Sequence, residues 1–221
     1  MTRYSTKCAA GLFVFFLGGC AYQAGYNPTY IPDEEPDYIS SDQVLLVMAD
    51  EDENYVYTGS PSSFTGGGTS LSIPLGAITK EVAEEILEDR FSGRVGFANE
   101  FLHDEGYRLA LKPRIRRFDY KYNSLKNLGF AITPEVDIDL RITILDSNGQ
   151  TVFDEVYQSG RTEGDTYIVS GSPSEKVNEA LHRTLYRLFE ESFADARPIV
   201  LDSLGLEAPK SAVAGGVDIR E

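Results

Sequence analysis

Val136, Ile138, Leu140, Ile142 and Ile144 alternate with Glu135, Asp137, Asp139, Arg141 and Thr143, and no other feature of the chain narrows its fold as much. A period of two puts the aliphatic side chains on one face and the polar ones on the other, as in a strand with one buried and one wet face. Upstream, Leu109, Leu111, Pro113 and Ile115 alternate with Arg108, Lys112, Arg114 and Arg116. The step at Arg116-Arg117 shifts the phase before Phe118, Tyr120 and Tyr122, which predicts a bulge. The two polar faces carry opposite charge, and cross-strand pairs of opposite sign favour one register by a few tenths to about 1 kcal/mol each. An antiparallel hairpin closed by residues 123–133 follows. Asp146-Ser147-Asn148-Gly149 is a tight turn into a third strand over residues 151–158, so the strands form a meander.

The apolar face of this meander needs a cover, and two helical patterns supply it. Val82, Ala83, Ile86, Leu87 and Phe91 recur at three- and four-residue spacing against a face of glutamates. This predicts a helix from near Leu75, with Thr79 as N-cap or a start one turn earlier, and a continuation over residues 97–103. Ser172-Pro173-Ser174-Glu175 joins a capping box to a proline at the first helical position. The helix after it presents Val177, Ala180, Leu181, Leu185, Leu188, Phe189 and Phe193, and is expected to end near Arg197-Pro198. Val44-Leu45-Leu46-Val47-Met48 reads as a buried strand, residues 55–58 as a second short one, and residues 59–70 as a flexible glycine-rich loop.

The expected fold is therefore a single two-layer α+β domain over residues 43–197. Its sheet is antiparallel, mostly a meander, with two helices packed on one face. Residues 198–221 read as a mostly disordered tail with room for one short element at 199–206. Residues 20–42, with prolines at 28, 32 and 36 and the acids Asp33, Glu34, Glu35 and Asp37, read as a spacer without regular structure.

The N-terminus carries a different kind of information. Arg3 and Lys7 precede ten uncharged residues, and Leu17-Gly18-Gly19-Cys20 follows. This is a signal peptide over residues 1–19; ten helical residues rise about 15 Å, half the roughly 30 Å of a bilayer core. The order Leu17, Gly18, Gly19, Cys20 resembles the bacterial lipobox, which implies cleavage before Cys20 and a diacylglycerol on its thiol, with a palmitoyl-type chain on the new amine. Two or more chains anchor stably where one anchors marginally. Cys8 leaves with the signal, so Cys20 is the only cysteine of the mature chain and no internal disulfide is available. Ala21 stands where an aspartate would resemble an inner-membrane retention signal, so the expected destination is the periplasmic face of the outer membrane.

Charge and motifs exclude several chemistries. The net charge of −15 becomes −17 once Arg3 and Lys7 are removed, with no basic excess for nucleic acid. Asp50-Glu51-Asp52-Glu53-Asn54 imitates a calcium loop, but Tyr55 occupies the glycine position and Pro61 the closing glutamate position. Gly66-Gly67-Gly68 lacks the lysine of a phosphate loop, and a solvated acidic loop and a flexible loop are the readings kept. His103 is placed at the end of the first helical region and His182 on the polar side of the last helix. Asp137 and Asp139 share a face as catalytic carboxylates would, but opposite arginines they read as a salt-bridged wet face. No catalytic residue, metal or cofactor is expected beyond the covalent lipid on Cys20.

With its lipobox, the strand at residues 44–48, the Leu75-Gly76-Ala77-Ile78 helix entry, the alternating strand and the final capped helix, the chain resembles the YajG-type uncharacterised periplasmic lipoproteins. Its layout is also similar to auxiliary lipoproteins of envelope lipid transporters. The family offers no catalytic residues to carry over; the anchor, the spacer and a domain without convergent polar chemistry point to a non-enzymatic accessory or scaffold lipoprotein that meets the membrane through its lipid and binds an envelope protein. The alternatives are a subunit of a lipid-transport or lipopolysaccharide-assembly system and, third, an envelope hydrolase. Oligomeric state and partner identity are not legible.

Overall fold

The computed structural model of the chain describes residues 21–23, 38–63, 70–103, 105–123, 131–168 and 173–207. Leu17, Gly18, Gly19 and Cys20, most of the spacer, the hairpin turn at 124–130, Ser172 of the capping box and residues 208–221 lie outside them. The elements are β1 (Ala21–Gln23), β2 (Val44–Val47), α1 (Asp50–Glu53), β3 (Tyr57–Gly59), β4 (Ser70–Ile73), α2 (Leu75–Arg90) and β5 (Val95–Ala98). After these come β6 (Leu109–Asn123), β7 (Ala131–Asp146), β8 (Thr151–Gln158), β9 (Thr162–Glu163), β10 (Tyr167–Ile168) and α3 (Pro173–Leu204).

The main sheet runs β5-β2-β6-β7, and β8, β9 and β10 share the far edge of β7. The expected meander is present: β6, β7 and β8 pair antiparallel, with Ile115 opposite Leu140 and Ile142 opposite Glu155. The register breaks between Ile115 and Arg117, where the sequence phase shifts. The turn after β7 is closed by Asp146, whose carboxylate accepts the N–H groups of Asn148 (2.9 Å) and Gln150 (2.8 Å). Gly149 there takes φ 75°, a left-handed conformation open to glycine at little cost. β2 is a central strand parallel to both β5 and β6, so the fold also contains a crossover through α2 that the meander pattern does not announce.

α2 and α3 cover one sheet face. The layer between them contains Leu46, Leu111, Ile138, Leu140 and Ile142 from the sheet, Ile78, Val82 and Ile86 from α2, and Leu181, Leu185 and Phe189 from α3, all at most 3% exposed. Burying side chains of this size is worth about 1.5–3 kcal/mol each. The helices are tied to each other by Arg90, itself buried, which donates to Glu190 and lies over the Phe193 ring. On the opposite face a small cluster of Leu45, Val47, Tyr107, Ala110 and Leu145 is covered by Phe101 and Leu102 at one end of the sheet. Beyond that cluster the opposite face is mostly charged, with Val156 exposed among the ion pairs.

Several local expectations are corrected. α3 does not stop at Pro198 but continues to Leu204. Pro198 lacks only the bond to Ala194, both residues are exposed, and burial of Val200, Leu201 and Leu204 holds the last turns. Thr79 is not an N-cap; it lies inside α2, whose Leu75 carbonyl accepts its hydroxyl at 2.7 Å. Residues 97–103 do not extend the helix, because Val95–Ala98 is β5, aligned on β2. Asp50–Glu53 is one helical turn, not a loop. Ser70–Ile73 at the end of the expected flexible loop is β4, with Leu71 and Ile73 buried. His182 is not on a polar side: it is 2% exposed. Nor is the spacer irregular from its start, since Ala21–Gln23 pairs with β4.

Candidate functional site

The polar face of the hairpin is where the chain concentrates exposed charge in a fixed arrangement. Alternation puts Arg114, Arg117, Asp137, Asp139, Arg141 and, from β8, Asp154 on this side, and their pairing follows the strand register. Arg117 sits at the bulge, which aims its guanidinium between two carboxylates. Its Nε donates to Asp139 at 2.9 Å and its terminal nitrogens donate to Asp137 at 2.9 and 3.2 Å. These bonds hold the Arg117 proton more firmly than usual. Arg141 donates through Nε to Asp154 at 2.7 Å, and Thr143 adds a bond to the same carboxylate at 3.0 Å. The bonds from Arg141 outweigh desolvation and hold the Asp154 carboxyl below its ordinary range. Farther across the face, Arg114 meets Glu51 and Asp52 of α1 at 3.4 and 3.1 Å.

The ladder borders a wide, shallow depression between Arg116, Arg117, Arg141, Glu155 and Val156. Val156 is 49% exposed, and Arg116 has no carboxylate partner among the described residues. This arrangement does not support acid–base catalysis. Asp137 and Asp139 are joined through one guanidinium instead of being poised as separate acid and base. What it offers is a rigid row of charges flanking an exposed apolar side chain and a free cation, which suits recognition of a surface.

The remaining sequence candidates are dispersed. Asp50, Glu51, Asp52 and Glu53 are engaged by different groups: Asn99, Arg114 and, at 2.7 Å, Lys80. His103 is exposed in the loop after β5, edge-on to Phe101 at 4.8 Å. His182 lies in α3, where burial lowers its pKa and favours the neutral ring. Among the described residues no three of His, Cys, Asp and Glu converge as a metal site. The apolar pocket under the helices, between Val44, Phe91, Leu111, Phe193 and Val200, has about 10 Å³ of room, no more than one water needs. Arg116 is the residue that sequence reasoning passed over. In the sequence it is one of four alternating cations, and only the bulge separates it from the carboxylates that Arg117 takes.

No family model matches the chain, and no curated protein does. Solved structures do resemble it. Protein XCC0632 from Xanthomonas campestris, of the family DUF330, is 12% identical, with 84% of this chain and 99% of that one covered at a TM-score of 0.48. Hypothetical protein CT253 from Chlamydia trachomatis is 13% identical over 73% of this chain and 99% of that one, TM-score 0.41. Lipoprotein GNA1162 from Neisseria meningitidis is 12% identical over 70% and 99%, TM-score 0.33. The neighbours thus include lipoproteins and proteins without an assigned role, at a similarity too low to transfer a site. The resemblance to YajG-type lipoproteins gains no separate support from them. No helix among the described residues is long and apolar enough to cross a membrane.

Proposed function

We propose that this protein is a lipid-anchored accessory or scaffold lipoprotein at the periplasmic face of a bacterial outer membrane, which binds an envelope protein and catalyses no reaction. Cys20 carries the lipid, after cleavage behind Leu17-Gly18-Gly19, and needs no other cofactor. The observation that carries the reading is the open hairpin face. Its carboxylates are locked by Arg117 and Arg141, while Arg116 and Val156 stand ready for a partner. A lipid-carrier subunit has less support, because the apolar pocket between helices and sheet has no room for an acyl chain.

The anchor is tested with labelled palmitate in a bacterial host. The full chain should incorporate label, and Cys20→Ser should not and should remain unprocessed. Label in the serine variant would overturn the anchor. Turnover of an envelope substrate by the full acylated protein would overturn the non-catalytic reading.

A further inference from the structure

We infer that the domain stands end-on against the lipid headgroups, with the end formed by β1, β4 and β3 at the bilayer, instead of hanging from a twenty-residue tether. The inference rests on the acylation of Cys20 proposed above. Its basis is the pairing of β1 with β4. Ala21, the first residue after the lipidated position, is paired in parallel with Ser70, Tyr22 with Leu71 and Gln23 with Ser72. Consecutive Cα atoms are about 3.8 Å apart, so the lipid-bearing residue is one step from a strand fixed to the domain. A free coil of about twenty residues would reach roughly 25 Å; the pairing removes that slack.

The register shows what surrounds this point. Gly59 of β3 lies opposite Leu71, and the chain after it meets the far half of the hairpin. Ser62 donates its N–H to the Tyr120 carbonyl at 2.9 Å, and the Ser63 hydroxyl accepts the Tyr122 N–H at 2.9 Å. Asn123 in turn faces Thr133. The other end of the hairpin, where Leu109 pairs with Asp146, is the far end of the molecule. The chain enters the main sheet there: Ile39 donates to the Arg90 carbonyl at 2.8 Å, and Ser40 pairs with Phe91. The described stretches flanking residues 24–37 therefore sit at opposite ends. The acidic, proline-rich segment joins the two ends of the domain, where a tether would join the domain to the membrane.

Residues 58–63, 70–73, 120–123 and 131–134 contain no carboxylate and a single cation, Lys121, which is paired with Glu135 at 2.7 Å, but Asp119, Glu163 and Asp165 stand beside them. The orientation is therefore set by where β1 joins the domain and not by a division of charge. Standing this way, the strands run away from the membrane and the charged hairpin face looks sideways, open to a neighbouring envelope protein.

The test uses the full acylated protein in vesicles of phosphatidylethanolamine and phosphatidylglycerol with a headgroup-attached quencher. Cys20 is the only cysteine after processing and its sulfur is alkylated, so Ser62→Cys and Ser147→Cys each give one labelling site, at the near and far ends. Quenching should be several-fold stronger at 62 than at 147. Equal quenching in protein that floats with the vesicles would overturn the orientation while leaving the anchor intact. Failure of the wild-type chain to float would remove the anchor, and the orientation with it. Tyr22→Pro, which takes an N–H from β1 and fixes φ, should bring quenching at 62 down to the level at 147 without affecting flotation. A preserved difference in that variant would also count against the inference.

Discussion

The two faces of the β6–β7 hairpin are made by the same residues in alternation, yet they do different work. The inner face, with Phe118, Tyr120, Ile138, Leu140 and Ile142, is sealed under α2 and α3 or against β3. The outer face carries ion pairs in water. Hydrophobic burial is worth kilocalories per side chain, whereas exposed ion pairs contribute little after screening and side-chain ordering. The difference teaches that stability resides on one side, so the other side is free to be specified by what it must recognise.

The comparison breaks if the inner face proves tolerant. Phe189→Ala, at a fully buried position of α3, should cost about 3–5 kcal/mol, read from the shift of a urea midpoint; a loss below about 1 kcal/mol would mean the helix is not the main cover. A second probe of the interior is acid. Burial lowers the pKa of His182, so below its unfolded value of about 6.5 the unfolded chain binds a proton that the native chain refuses. The contribution of this residue is fully present above that pH and is lost progressively as pH falls toward the native pKa, by up to about 1.4 kcal/mol per pH unit. His182→Gln should flatten the slope; an unchanged slope would assign it to other groups.

Smaller effects sharpen the outer side. Gly149→Ala forces an L-residue to φ 75° and places its Cβ 2.9 Å from His103 and 3.0 Å from Phe101. A loss of about 1–2 kcal/mol is expected, seen as a lower Tm. Least of all, Arg117→Ala should leave the urea midpoint within the scatter of ordinary surface substitutions. A large loss there would show that the ladder holds the fold and is not spare for recognition.

How much of this was legible depended on whether the signal was local. The bulge showed as a phase shift at Arg116-Arg117, and β8 was bounded by the Asp146–Gly149 turn at one end and polar residues at the other, so both could be read from a dozen neighbours. β5 could not, because Val95-Gly96-Phe97-Ala98 is too short to show a period and gains its identity from parallel pairing with β2. Pro198 reads as a stop, and only the burial of Val200 and Leu204 against the core carries α3 past it. His182 was misplaced because α3 packs on both the sheet and α2, so its buried arc is wider than its aliphatic stripe. β4 had the alternation Ser70-Leu71-Ser72-Ile73, masked by the preceding glycines. The pairing of Ala21–Gln23 with it has no signature in composition at all.

The central claim is that the outer hairpin face meets a partner while the protein is held by its lipid. A photo-crosslinking residue at position 116, compared with one at Glu88 on the exposed side of α2, tests it in intact cells. The account predicts a discrete adduct from position 116 that is lost with Cys20→Ser and is absent or much weaker from position 88. Equal adducts from both positions, or none from 116 in correctly acylated protein, would contradict it.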